Sequence, residues 1–183
     1  HKKNKTVHLL GLCSDGGVHS HSDHIIAMSK LLYENTIRTV IHIFSDGRDS
    51  SPKQLGQQIK KFESSLPDDI QIVTLIGRYF AMDRDKRWDR VQLAYDLLTK
   101  AKGEVFKKAS DAIDHSYQNG ITDEFINPCV IEQENGEKAK ITDGDVVICF
   151  NFRTDRPREI TEVLTQMAIP EHHMEPVSYT HLT

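Results

Sequence analysis

Cysteine is scarce: Cys13, Cys129 and Cys149 are the three thiols of a 183-residue chain, and no two stand at CxxC spacing. Their odd number, and the apolar runs around two of them, exclude a disulfide scaffold and a thiolate metal cluster and point to buried reduced thiols in a cytoplasmic protein. Long hydrophobic runs are missing too. No apolar stretch approaches the roughly 18 residues of a membrane span, and no secretory leader pattern opens the chain, so no membrane partner is expected. Positive charge is not in surplus, because 23 Lys and Arg face 27 Asp and Glu for a net charge of -4. That balance excludes general attraction to nucleic acid or an anionic surface, and any anionic ligand must be held by cations gathered locally. The 10 glycines form neither GxGxxG nor a Walker loop, so nucleotide binding finds no support.

What is present suits a globular fold. Hydrophobic residues at 38% and charged residues at 27% lie far from the composition of disordered chains. The chain lacks an initiator methionine and starts with His1 Lys2 Lys3 Asn4 Lys5 directly before a strand-like run. Residues 1–175 are therefore expected to be one domain of a longer protein. Residues 176–183 (PVSYTHLT) show no periodicity and are expected to be a non-native tail.

Strand, polar loop and helix recur along the chain. Thr6 to Leu12 is an apolar run that leaves through Ser14-Asp15-Gly16-Gly17, and Ser22 to Tyr33 puts Ile25, Met28 and Leu32 on one helical face with Ser22 as a cap. Thr39 to Phe44 is a strand, and Ser51-Pro52 opens a helix with Leu55, Ile59 and Phe62 on its stripe. Ile70 to Ile76 leads through a charged loop into a helix carrying Trp88, Val91, Tyr95 and Leu98. Val105 to Tyr117 is a weaker helix closed by Asn119-Gly120. Phe125 to Glu132 and Lys138 to Ile141, joined through Asn135-Gly136, predict a small β-hairpin. Val146 to Phe150 is the last strand, and a helix with Ile160, Val163, Leu164 and Met167 follows. This alternation predicts an α/β three-layer sandwich, a mainly parallel sheet covered by helices on both faces.

In open α/β sheets ligands gather outside the carboxyl ends of the strands, so the four post-strand loops should share one edge. These loops concentrate arginine: Arg48, then Arg78, Arg84, Arg87 and Arg90, then Arg153, Arg156 and Arg158. Guanidinium forks pair with carboxylate and phosphate, and several on one edge suit a small polyanion. Surface pairing with the interleaved Asp83, Asp85, Asp89 and Asp155 is the plainer alternative. Asp49, next to Arg48, is a candidate general acid or base, or else a turn-shaping residue. His19, His21 and His24 have the spacing of transition-metal ligands, but the later loops offer arginines in place of further ligands. Tyr79, Phe80 and Trp88 are expected to pack around the arginine loop.

Taken as a set, LCSDGGVHSHSDH at 12–24, FSDGRDSSP at 44–52, GRYFAMDRDKRWDR at 77–90 and FNFRTDRPREI at 150–160 resemble the signature segments of the 2,3-bisphosphoglycerate-independent phosphoglycerate mutases. The likeness runs from about Thr6 to about Glu175. It implies a cytoplasmic, monomeric glycolytic enzyme that interconverts 3-phosphoglycerate and 2-phosphoglycerate without 2,3-bisphosphoglycerate. It also implies that a serine nucleophile and two Mn²⁺ ions reside in an alkaline-phosphatase-like domain outside this sequence. By motif position, His19 is implied to contact the transferring phosphate or glycerate. Arg48, Arg84, Arg90, Arg153 and Arg156 are implied to hold carboxylate and phosphate, and Asp49 to shuttle the hydroxyl proton. No metal ligand is implied within the chain, which alone should be inactive. Ser50-Ser51, Thr154 and Cys13 depart from the family pattern at positions without a predicted contact. Two rival readings are a metal-dependent hydrolase built on His19, His21 and His24, and a non-catalytic binding module for acidic metabolites.

Overall fold

The computed structural model describes residues 5–133 and 135–177. The sheet has six strands: β1 (Val7–Cys13), β2 (Thr39–Ser45), β3 (Gln71–Gly77), β4 (Glu104–Phe106), β5 (Cys129–Ile131) and β6 (Val146–Cys149). They lie in the order β4-β5-β3-β2-β1-β6. β6, β1, β2 and β3 run parallel, while β5 is antiparallel to β3 and parallel to β4. Strands β1 and β2 are buried at every position, as expected where helices cover both faces.

Side-chain alternation divides the core. Leu9, Ile41, Ile43 and Leu75 pack under α1 (Ser22–Glu34), α2 (Leu55–Glu63) and α5 (Ala109–Gln118). Leu10, Leu12, Phe44 and Ile76 pack under α4 (Trp88–Lys100) and α6 (Arg158–Thr165). A one-turn helix, α3 (Arg78–Ala81), follows β3 directly. The three-layer α/β expectation therefore holds. Burial pushes the thiols of Cys13 and Cys129 up to about 12, so both stay protonated and unreactive at neutral pH.

Local assignments needed correction in three places. No hairpin joins 125–132 to 138–141: β5 pairs instead with β3 and β4, and residues 138–141 carry no strand. The turn itself is present, with Gln133 N–H donating to the carbonyl of Glu137 at 3.0 Å. The expected helix at Val105 starts only at Ala109, because Val105 and Phe106 are drawn into the sheet opposite Val130 and Ile131. The caps also move. His21, through Nδ1, accepts from Asp23 N–H at the start of α1, and the Ser51–Gln54 turn precedes α2. Of the expected tail, Val177 donates its N–H to Leu164 O at 3.0 Å. Residues 178–183 lie outside the described residues.

The strand order fixes where a ligand can sit. From β1 the chain winds outward through β2 and β3, then returns to place β6 on the other side of β1. Neighbouring loops diverge at such a reversal and open a crevice. The reversal here falls between β1 and β6.

At the opposite end of the strands is a buried polar chain. His8 Nδ1 and His42 Nε2 lie 2.8 Å apart, His42 Nδ1 is 2.8 Å from Thr74 Oγ1, and His8 Nε2 is 3.4 Å from Asp145 Oδ2. Neutral rings suit this chain: with Thr74 donating to His42 and His42 to His8, His8 points its remaining N–H toward Asp145 without reaching hydrogen-bond geometry. A further proton would face a donor. Burial lowers His8 to about 4 against the opposing pull of Asp145, and burial together with His8 holds His42 well below the usual range. The unfolded chain binds these protons near 6.5 and the folded chain does not, so stability present above that pH is lost as pH falls toward 4. The His8 shift alone corresponds to about 3 kcal/mol. Urea unfolding at pH 7.5 and pH 4.5 is expected to show a loss of this order, and His8→Gln to reduce it; equal midpoints in the unsubstituted chain would refute the assignment.

Candidate functional site

The loop after β1 folds back on itself. Ser20 Oγ donates to Leu12 O, and Ser22 N–H donates to Ser14 O at 2.8 Å. His19 is thereby turned inward at 3% exposure, and its carbonyl accepts from Phe152 N–H at 3.0 Å, which ties this loop to the one after β6. The His19 ring lies between two carboxylates, 3.8 Å from Asp49 Oδ2 and 3.8 Å from Asp155 Oδ1. Neither distance is a hydrogen bond, and among the described residues the buried Nδ1 has no hydrogen-bond partner. Burial, followed by the positive charge of Arg78, holds this imidazole below its usual range despite Asp49 and Asp155.

The loop after β2 is organised by Asp46, a residue without an assigned role in the sequence reading. Its Oδ1 accepts from the N–H groups of Arg48 (3.1 Å) and Asp49 (3.0 Å), and its Oδ2 from Ser14 Oγ (2.5 Å). Gly47 sits at φ +71, where a side chain would strain the backbone and strike Glu124 N at 2.7 Å. Arg78 enters from α3, its Nη1 2.6 Å from both Asp46 Oδ1 and Asp49 Oδ2. Burial pushes the Asp46 carboxyl up, but the bonds from Ser14, the Asp49 amide and Arg78 outweigh it and hold the group below the usual range.

The longest loop, after β3, is held by Asp83, which accepts from the N–H groups of Asp85 and Arg87 at 2.9 and 3.0 Å. The Arg90 guanidinium stacks 3.8 Å over the Tyr79 ring. In the loop after β6, Asn151 accepts from Leu12 N–H at 2.9 Å, and Asp155 bridges Arg153 (2.9 Å) and Arg84 (3.2 Å).

Four of the five expected arginines, Arg48, Arg84, Arg90 and Arg156, line one cavity of ≈ 300 Å³ together with Arg78 and Arg87. Arg153 does not line it, but lies beside it through the Asp155 bridge. His19 and Asp49 do not line it either: Asp49 is joined to it through Arg78, and His19 lies beside Asp49 and Asp155. Cation crowding leaves a mark: burial, then Arg78, Arg84 and Arg48, depresses Arg156 below the usual guanidinium range. A cavity lined in this way favours a compact anion of several charges.

The histidine cluster does not do what metal ligation requires. His21 caps α1, His24 packs edge-on against Phe152, and His19 sits between the carboxylates. Among the described residues no group of three or more His, Cys, Asp or Glu could hold a metal ion. Tyr79 and Phe80 do pack beside the arginine loop, as expected. Of the residues that build the site, Asp46 had no role in the sequence reading, and Arg78 and Arg87 were named there only among the loop arginines. The further signal for Arg78 was its position directly after β3, and for Asp46 a Ser-Asp-Gly that repeats after β1 and β2.

Fold and site together define a doubly wound α/β domain whose strand ends carry an arginine-lined anion cavity. The chain belongs to the 2,3-bisphosphoglycerate-independent phosphoglycerate mutase family: the family model described as "BPG-independent PGAM N-terminus (iPGM_N)" matches residues 1–183. It is 45% identical over 187 residues to the 2,3-bisphosphoglycerate-independent phosphoglycerate mutase of Flavobacterium psychrophilum, covering 100% of this chain and 37% of the relative. The enzyme of the same name from Rhodopseudomonas palustris is 47% identical over 163 residues, covering 89% of this chain and 32% of the relative. Among solved structures, the Leishmania mexicana phosphoglycerate mutase, crystallised at low cobalt concentration, superposes with a TM-score of 0.83 at 28% identity, over 99% of this chain and 36% of that one. The chain thus spans about a third of the length of these relatives.

Proposed function

We propose that this chain forms the substrate-gripping part of a cytoplasmic, monomeric mutase that interconverts 3-phosphoglycerate and 2-phosphoglycerate. The observation that carries the reading is the gathering of Arg48, Arg84, Arg90 and Arg156 around one cavity, with Arg153 beside it. The substrate carries a carboxylate and a phosphate on three carbons, and such a ligand matches several guanidinium forks at close quarters. Arg48, Arg84, Arg90, Arg153 and Arg156 hold the two anionic groups, and His19 contacts the phosphate or glycerate as a neutral imidazole.

Phosphoryl transfer asks the binding side mainly for position and charge. The phosphoryl group leaves one substrate oxygen for a serine supplied by the rest of the protein, then returns to the neighbouring oxygen. Between the two transfers a proton passes from the hydroxyl that will be phosphorylated to the oxygen just released, and Asp49 carries it. Among the described residues no cluster fits a metal, and the manganese that the family resemblance implies is assigned in this reading to residues outside the chain.

The test is a full-length chimaera in which this sequence replaces the segment it matches in the Flavobacterium psychrophilum relative. Turnover of 3-phosphoglycerate is expected, and its absence from a folded chimaera would refute the reading. Within the active chimaera, Arg153→Ala and Arg156→Ala should each lower kcat/KM at least tenfold, or about 1.4 kcal/mol of transition-state stabilisation. Unchanged kinetics from both would remove them from the site.

A further inference from the structure

The amino-terminal ends of the strands hold a second cavity, of ≈ 390 Å³, away from the arginine loops. Thr6 and His8 at the start of β1, Arg38 and Val40 at the start of β2, and Asp145 just before β6 form its wall. The seven residues of β1 put roughly 20 Å of strand between this end of the sheet and the other.

The charges around this cavity do not balance. Lys5, Arg38, Lys138 and Lys140 stand against Glu137 and Asp145, in a chain whose net charge is -4. Both carboxylates are already engaged. Asp145 accepts from Thr6 N–H at 3.1 Å and from Thr142 N–H and Oγ1 at 2.9 and 2.7 Å. Glu137 meets Arg38 at 3.8 Å in an exposed pair of the kind that contributes little. Lys5 donates to the carbonyl of Asp143, while the exposed Lys138 and Lys140 make no ion pair among the described residues. Beneath them His8, 1% exposed, completes the lining. Its Nδ1 accepts from His42 Nε2 at 2.8 Å, so Nε2 carries the proton. That N–H has no hydrogen-bond partner among the described residues. A buried donor left without an acceptor costs free energy, and a ligand oxygen would recover it.

Ammonium groups and an imidazole N–H each donate as a point, which suits the tetrahedrally arranged oxygens of a phosphoryl group. We propose that this cavity is a second anion site, taking a compact phosphate-bearing ion at the amino ends of the strands. Lys138 and Lys140 capture the ion, Lys5 and Arg38 flank it, and His8 Nε2 is its buried donor. The site does not rest on the function proposed above, because it occupies the end of the sheet that the mutase chemistry leaves unused.

The experiment is lysine footprinting of the full-length chimaera: acetylation by acetic anhydride is read residue by residue in a mass spectrometer, with pyrophosphate as the probe. Pyrophosphate at about 1 mM is expected to slow modification of Lys138 and Lys140 roughly fivefold. The exposed Lys30 and Lys60, which lie outside the cavity, should react as before. Sodium chloride at matched ionic strength should protect neither pair, since screening acts on all exposed lysines alike. A parallel arm with inorganic phosphate tells the ligands apart: protection there too makes one phosphoryl group the recognised unit, and protection by pyrophosphate alone makes it two. In the Lys138→Ala/Lys140→Ala variant, protection read on Lys5 should fall at least twofold, with kcat/KM for 3-phosphoglycerate unchanged. Unprotected Lys138 and Lys140, protection matched by chloride, or Lys5 protection indifferent to the double substitution would each overturn the site. A chimaera that is protected here but turns nothing over would refute the mutase reading and leave this one standing.

Discussion

Asp49→Asn is expected to lower kcat of the full-length chimaera at least a hundredfold and to leave KM within about threefold, if Asp49 is the proton carrier proposed above. The substitution is nearly isosteric. An amide oxygen can still accept from Arg78 Nη1, which lies 2.6 Å from Asp49 Oδ2, so the loop after β2 need not move. The amides of Arg48 and Asp49 remain held by Asp46. What the proposed role would lose is a carboxylate that can take up and release a proton. Steady-state kinetics in both directions check this, because one shuttle serves both transfers and the two directions should fall together. A loss in KM alone would make Asp49 a binding residue, and a loss under threefold would exclude it from proton transfer.

Gly77→Ala is expected to destabilise the domain by about 3 kcal/mol, toward the upper end of what overpacking costs. A Cβ there would meet the Glu124 carbonyl oxygen at 2.2 Å, its carbon at 2.7 Å and Ile126 N at 2.8 Å, all backbone atoms that cannot rotate away. The residue is not needed for its dihedral freedom, since φ -66 and ψ 142 suit any amino acid. It is needed because two backbones touch: Gly77 N–H donates to Ile126 O at 2.7 Å, and Ser45 Oγ to Asp123 O at 2.6 Å. A loss of this size lowers the melting temperature of a domain this large by roughly 6–12 °C. An unchanged midpoint on thermal or urea unfolding would mean that residues 123–126 shift aside without cost.

How far the sequence could be read depended on how local each signal was. The four strand-loop-helix units were legible because a strand buried on both faces leaves an apolar run, and a helix on a sheet leaves a 3.6-residue stripe. Even His42 did not hide β2, since its neighbours Ile41, Ile43 and Phe44 carry the pattern. The hairpin failed for the opposite reason. Asn135-Gly136 marked a real turn, but the partner of Cys129–Ile131 is chosen across the sheet, where an edge between β3 and β4 was open. The three residues of β4 are too few to show a period. At the site, the rule that ligands meet at strand ends brought out the cavity arginines from three separate loops. It could not find Arg78 and Asp46 as a pair, because their role lies in a contact between residues 32 positions apart. Nor could it separate Arg153, which stands next to the cavity on Asp155, from the arginines that line it.

The aspartates interleaved with these arginines change what a visiting ligand encounters. Arg84 and Arg153 already share Asp155, and Arg87 and Arg90 already meet Asp83. A newcomer therefore trades places with resident counterions instead of stripping water from bare cations, and its affinity is a difference between two sets of ion pairs. Chloride, with one diffuse charge, gains little from such an exchange. A molecule with two anionic heads a fixed distance apart can displace several carboxylates at once, so the acidic residues act as a threshold that only a multivalent guest crosses.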